Sequence, residues 1–458
     1  MNDITKITHI TKTTETGGTV VVLNTGAVIG PEAEAMLQAL HSRSIGGIKS
    51  HLDVLGKRGA EKFMSTYYVG YGHKSIGDLG SASIFVEGIS MLAAKAIQNW
   101  PLYSGQESST RYIDFAEQPF MDPLGTDDSR RILETWRSFY LRGVTELQPL
   151  LAARFPREES EDEATYTKAI NARAFDIMRS FLPAGATTNL AWHSNLRQFA
   201  DKILELRHHP LEEVRTVTAG IEEALLEAFP NSFSPKRYEE TERYNEQASR
   251  EVTYFHDPDP AEFEVFNDTV DRTLLAEYQE LLSLRPPKTE LPKAIAECGT
   301  IGFRFLLDFG SFRDIQRHRA VTQRMPLLTT ELGFAEWYLE ELGMSDALRS
   351  DAEKLIKEQK KQVEALNTSP EIAQYYTAMG FNTTNRLVGG LPALVYLAEL
   401  RATRFVHPTL RKRALQMMDA LDERFKESGL VLHRDPDPDR FDIKRGEHDI
   451  VDRSSTKT

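Results

Sequence analysis

Apolar and polar positions recur along this chain with two periods. A three-to-four-residue spacing, the mark of an amphipathic helix, opens at Pro31-Glu32 and runs to about His41. Pro and an acidic residue stand where a first helical turn tolerates them. The same spacing predicts longer helices over residues 130–153, 164–182, 190–206 and 211–228. Alternation with a period of two is rarer. It marks a strand over 301–307 (IGFRFLL), and short runs over 19–23 (TVVVL, β-branched) and 83–87 (SIFVE) predict two more strands. The mixture predicts an α+β fold, mostly helical.

The pattern lapses over 231–260, a stretch poor in aliphatics that ends in Asp257-Pro258-Asp259-Pro260, and a helical pattern resumes at Glu262. A charged tail begins near His433. The expected parsing is an N-terminal domain, 1–238, a connector, 239–261, a C-terminal domain, 262–430, and a tail, 431–458.

The two halves echo one another. Glu205-Leu206-Arg207 matches Glu399-Leu400-Arg401, His209-Pro210 matches His407-Pro408, and Thr187-Thr188-Asn189 matches Thr383-Thr384-Asn385, at offsets of 194, 198 and 196 residues. In each half a strand is followed by a serine, Ser90 or Ser311, placed to cap a helix over 91–100 or 312–320. Three matches in one order predict a divergent tandem duplication.

Composition narrows the function. The chain of 458 residues carries 55 basic and 68 acidic side chains, a net charge of −13. An acidic chain is a poor wrapper of nucleic-acid backbone but can hold a small anion in a locally basic pocket. No apolar run approaches the ~18 residues of a membrane span. Residues 1–18 are polar and Thr-rich, without the pattern of a secretory signal, so a cytoplasmic protein is expected. The one cysteine, Cys298, excludes an internal disulfide framework and a multi-cysteine zinc site, and no metal is expected.

Four constellations can carry chemistry. In Gly72-His73-Lys74-Ser75-Ile76-Gly77-Asp78 two glycines let the backbone approach a ligand, and His73 and Ser75 can contact a ring or a phosphate. A turn with local Ser and Asp hydrogen bonds is the alternative. In the segment 104–112 (SGQESSTRY), Ser109 and Arg111 can converge on one phosphate, or Arg111 can pair with a surface carboxylate. Arg313, Arg317, Arg319 and Arg324 fall within twelve residues, and helical spacing would put Arg313 and Arg317 on one face. They suit a pyrophosphate, or equally an interface laced with salt bridges. Arg179, Asn195, Arg197 and Arg207 can surround an anionic pocket or form a solvated face.

Taken in order, GHKS, a strand, a helix, SGQESSTRY, MRSFLP, NLR and LELR resemble the flavin-dependent thymidylate synthase family, ThyX. The likeness covers most of 19–229 and, more faintly, 262–427. The family's signature joins Arg-His-Arg to a downstream Ser-x-Arg. Here the first half has Asn99-Trp100-Pro101 in place of Arg-His-Arg. The second half has Arg317-His318-Arg319 but neither the Gly-His-x-Ser loop nor Ser-x-Arg-Tyr, and 325–332 (MPLLTTEL) stands in the latter's place. Each half lacks what the other keeps, as expected if duplication fused two subunits and one composite site survived.

The resemblance implies two domains in tandem, each a small antiparallel sheet packed with helices. It implies FAD as cofactor, with His73, Ser75, Gln106, Glu107, Asn195 and Arg197 near the flavin and Arg317, His318 and Arg319 contacting it from the other half. Ser109 and Arg111 would hold the phosphate of dUMP, with Glu107, Arg179 and Arg207 at the nucleotide and Ser109, Arg111 and Arg207 serving the reaction. Methylenetetrahydrofolate would supply the one-carbon unit and NADPH the reducing equivalents. Altered pyrimidine C5 chemistry on the same scaffold, or nucleotide or flavin binding without reaction, are the alternatives. A family of single-domain tetramers implies, after fusion, a homodimer forming a pseudo-tetramer with two FAD sites.

Overall fold

The computed structural model describes residues 8–24, 30–43, 57, 61, 64–65, 74–108, 110 and 113–435. The chain divides into two compact units that are not consecutive stretches. The first comprises Met1–Ile113, Gln118–Pro123 and Gly185–Thr253, and the second Asp114–Glu117, Leu124–Ala184 and Tyr254–Thr458. Among the described residues no helix is long and apolar enough to cross a membrane.

The first unit is built on an antiparallel sheet of β1 (Thr8–Thr13), β2 (Thr19–Asn24), β3 (Ser81–Ser90), β4 (Ser104–Glu107) and β5 (Thr187–Asn195), in the order β1-β2-β3-β5-β4. Ala82, Ile84 and Val86 on β3 and Leu190 and Trp192 on β5 are buried, and Ile84 lies opposite Trp192. Between them stand Glu87, Asn189 and His193, which are exposed, so the period of two sorts core from solvent. Helix α1 (Pro31–Arg43) follows β2, and α2 (Met91–Gln98) follows β3. Helix α3 (Leu196–Leu206) follows β5, ahead of α4 (Glu212–Ala228) and α5 (Glu239–Val252). Ser90 caps α2, accepting from the Ala93 amide at 3.0 Å. Buried Glu213 of α4 accepts from the Ser90 amide at 2.7 Å and from its hydroxyl at 2.5 Å.

Gly105 on β4 is a required glycine. A Cβ there would stand 2.0 Å from the Ala191 carbonyl oxygen and 2.5 Å from the Tyr103 hydroxyl, which itself donates to that carbonyl at 2.7 Å. The close approach of β4 to β5 fixes where Gln106 and Glu107 sit.

In the second unit β7 (Phe263–Asp268), β8 (Ile301–Asp308), β9 (Thr322–Gln323) and β11 (Asn382–Gly389) pair antiparallel in the order β7-β8-β11-β9. A short parallel pair joins β6 (Tyr254–Phe255) and β10 (Met325–Pro326). The order matches β2-β3-β5-β4 of the first unit strand for strand. Helix α6 (Phe309–Ile315) follows β8, and α7 (Leu391–Arg401) and α8 (Pro408–Phe425) follow β11. The helices Asp127–Arg154 and Glu163–Met178, from the first half of the sequence, belong to this unit. Trp136 donates to the Tyr376 carbonyl at 3.0 Å, and Phe181 packs on Phe334 with ring centroids 5.0 Å apart.

The structure corrects four expectations. The helix expected over 190–206 is β5 followed by α3, because Asn195 caps α3 through the Gln198 amide at 2.8 Å and alternation governs the residues before it. The helical pattern at Glu262 is β7, whose Phe263-Glu264-Val265-Phe266 pairs with β8. Residues 231–260 are not a bare connector, since α5 lies within them. The helix expected over 312–320 begins at Phe309 and ends at Ile315; Asp308, not Ser311, caps it, accepting from the Ser311 amide at 2.9 Å.

Candidate functional site

Where α6 ends, the chain turns before entering β9. Arg317-His318-Arg319 sits on that turn, with the His318 amide bonded to the Ile315 carbonyl at 3.0 Å. Arg313 and Arg317 therefore do not share a helical face: Arg313 is buried and Arg317 exposed. Gln323 of β9 fastens the turn, donating to the carbonyls of His318 at 2.8 Å and Ile315 at 3.1 Å.

Helix α7 supplies the facing wall. Arg401, in its last turn, donates from Nε to His318 Nε2 at 2.7 Å and from Nη2 to the Asp314 carbonyl at 2.7 Å. His318 is thereby fixed as an acceptor. Its burial, with Arg401, Arg319 and Arg317 close by, outweighs the pull of Asp314 and pushes its pKa down to about 3. Burial lowers the Arg401 pKa as well, with Arg317 adding to the effect and Asp314 and Tyr396 opposing it. Between turn and helix lies a cavity of about 240 Å³, lined by Arg317, His318, Arg319, Tyr396, Leu400 and Arg401 among others.

Asp314 is the common neighbour of the arginines. Burial alone would raise its pKa, but Arg179, Arg317, Arg401 and Arg313 together hold it below the ordinary carboxylate value. Arg317 stands 3.6 Å from it. Arg179 arrives from the end of the helix Glu163–Met178 and is buried in the second unit. Burial works against its charge, while Asp176, Tyr338, Asp314 and Asp308 more than restore it. Its Nε and Nη2 meet no hydrogen-bond acceptor among the described residues. Tyr338 donates to Asp308 at 2.8 Å, and burial raises the pKa of both groups. Several guanidinium groups converge on few carboxylates beside this cavity, a chemistry suited to an anion with more than one oxygen.

The candidates of the first unit have protein partners. The Glu107 side chain is buried and pairs with buried Lys95 at 2.5 Å, and Gln98 donates to it at 2.9 Å. Arg207 lies between Glu222 at 2.8 Å and Glu242 at 2.7 Å. Asn195 caps α3 and donates to Asp78 at 3.2 Å, and Arg197 also pairs with Asp78 at 3.1 Å. Gln106 on β4 and Ser75 on the 3₁₀ turn Lys74–Leu79 are exposed. At Asn99-Trp100-Pro101, Trp100 donates to Gln198 at 3.1 Å, and Lys202 donates to the Asn99 carbonyl at 2.9 Å while lying over the indole ring. His73, Ser109 and Arg111 lie outside the described residues.

Sequence reasoning brought Arg317, His318, Arg319 and Arg179 into view but passed over Arg401 and Tyr396. The signal for Arg401 was present: it stands in the repeat match to Arg207.

Part of this chain is similar to a known protein family. Residues 30–231 match the Thy1 family, described as thymidylate synthase complementing protein. A UPF0159 protein of Chlamydia muridarum (strain MoPn / Nigg) is 26% identical over 422 residues, covering 79% of this chain and 79% of the relative. One from Chlamydia pneumoniae is 26% identical over 396 residues, covering 74% of each. A UPF0159 protein of Thermoplasma acidophilum is 23% identical over 441 residues, covering 79% of this chain and 86% of the relative. The matched spans take in both halves of the chain.

Proposed function

We propose that this chain is a flavin-dependent, thymidylate-synthase-like enzyme that methylates dUMP at C5, built as two ThyX-like domains in tandem. One observation carries the reading. In a chain whose residues 30–231 match the Thy1 family, Arg317, His318, Arg319 and Arg401 line one cavity of the second unit. The matching strand orders of the two sheets support the duplication.

The residues present fit the phosphate end of FAD. Arg317 and Arg319 offer guanidinium forks at the cavity, and Arg401 is held in place by His318. A volume of about 240 Å³ is smaller than a whole dinucleotide, so only part of the cofactor lies against this cavity and the rest extends beyond it. When bound, FAD supplies the reducing equivalents for converting the one-carbon unit of methylenetetrahydrofolate to a methyl group, NADPH being the source. The protein's own work is positioning. Arg179, two of whose donors meet no acceptor among the described residues, fits the phosphate of the pyrimidine nucleotide. His318, neutral at physiological pH, serves as an acceptor that orients Arg401 and not as an acid. The enzyme works as a homodimer, a pseudo-tetramer with two FAD sites.

A second reading, nucleotide binding without reaction, has its own support: Glu107 and Arg207 are engaged by Lys95 and by Glu222 and Glu242. Tritium release separates the two. With FAD, NADPH and methylenetetrahydrofolate present, the purified chain is expected to release tritium from 5-tritiated dUMP, and Arg179→Ala to lower the rate at least 10-fold, the size of one lost charged contact. Binding of dUMP without tritium release would favour the second reading.

A further inference from the structure

The cavity beside Arg317 has an apolar side that the phosphate assignment leaves unused. Tyr396 and Leu400 stand one turn apart on α7 and so share a face. Both line the cavity, and both are unusually open for large apolar side chains, at 47% and 41% exposure. The rest of the helix is packed in the ordinary way, with Leu391, Leu394, Val395, Leu397 and Ala398 buried. Single exposed apolar residues need no explanation. Two on one face, lining a cavity that Arg317 and Arg319 also line, describe a ligand with a flat apolar part and an anionic part. Tyr396 is also oriented: its ring centroid lies 5.9 Å from that of His318, which Arg401 holds in place. Tyrosine supplies a large flat surface at low entropic cost.

We propose that Tyr396 and Leu400 form the ring-binding wall of this cavity, which takes a nucleoside diphosphate group with its base lying on Tyr396 and its phosphates on Arg317 and Arg319. This rests on the reading that the cavity receives the phosphates of the cofactor, and it assigns the nucleoside end of that cofactor to the second unit. Shape and charge both favour a nucleotide over a bare polyanion. Inorganic pyrophosphate would leave Tyr396 and Leu400 exposed, whereas a base covers them and gains stacking.

Calorimetric titration of the full chain with adenosine diphosphate and with inorganic pyrophosphate tests the wall. The nucleotide is expected to bind more tightly than pyrophosphate. Tyr396→Ala is expected to weaken it roughly 5- to 100-fold, the range measured for loss of one base–aromatic stack, and to leave pyrophosphate binding as it was. Tyr396→Phe is expected to retain nucleotide affinity. Tyr396 is half exposed, so these variants keep the fold, which circular dichroism checks. Equal affinity of Tyr396→Ala and the unchanged chain for the nucleotide would overturn the wall, as would a nucleotide bound no better than pyrophosphate. The double variant Arg317→Ala/Arg319→Ala is expected to lose both ligands. If it bound both normally, the cavity reading itself would fall, and the wall with it.

Discussion

Lys95→Met is expected to destabilise the protein by about 3–5 kcal/mol, the cost of stripping one partner from a buried ion pair. Lys95 is fully buried on α2, 2.5 Å from Glu107, whose side chain is 4% exposed. Gln98 ties the two together, accepting from Lys95 at 3.0 Å and donating to Glu107 at 2.9 Å. With the ammonium gone, the carboxylate keeps one neutral donor among these three side chains in a site that excludes water. The double variant Lys95→Met/Glu107→Leu removes both charges and is expected to recover most of the loss. Urea unfolding of the two variants and the parent measures the difference. A Lys95→Met midpoint within error of the parent would contradict the structural role of the pair. This variant also separates two roles for Glu107, because a residue that serves the ligand alone would move binding without moving the urea midpoint.

Acidification is expected to cost about 2 kcal/mol per buried histidine between pH 6.5 and pH 5. His318 and His209 both have their pKa pushed down to about 3, by burial first and then by neighbouring cations. A depressed histidine pKa means that the unfolded chain takes up the proton more readily. The stabilisation is therefore complete above about pH 6.5 and is lost progressively as pH falls toward the folded value near 3. Asp308 works in the opposite sense, since burial raises its pKa and protonation relieves that penalty. Substituting His318 by Asn is expected to flatten the profile of urea midpoint against pH over this window by the share of one histidine. A profile of unchanged slope would show that His318 is not the neutral acceptor described.

How much of this was legible beforehand differs by element. The helices Asp127–Arg154 and Glu212–Ala228 announce themselves because each presents one apolar stripe over several turns. Strand β5 did not, because Leu190, Trp192 and Leu196 straddle the junction of a strand and a helix and suit either period. Arg317, His318 and Arg319 were legible from residue type, but their geometry was not, since α6 ends two residues before Arg317. Arg207 shows the converse. Its partner Glu242 lies on α5, inside the stretch that composition marked as a connector, so nothing in the local sequence revealed the ion pair. The membership of Arg179 in the second unit is a long-range fact: residues 124–184 group with the described residues from 254 to 435, and no local pattern encodes that choice.

The turn Arg317-His318-Arg319, braced by Arg401, is proposed to hold the phosphates of a flavin dinucleotide. Titrating the full chain with FAD and following flavin fluorescence tests it most directly. Saturable quenching is expected for the unchanged chain, and Arg317→Ala/Arg319→Ala is expected to weaken binding by at least 10-fold, two charge-assisted contacts being lost. Unaltered FAD affinity in the double variant, or a parent chain that takes up no FAD, would contradict the account.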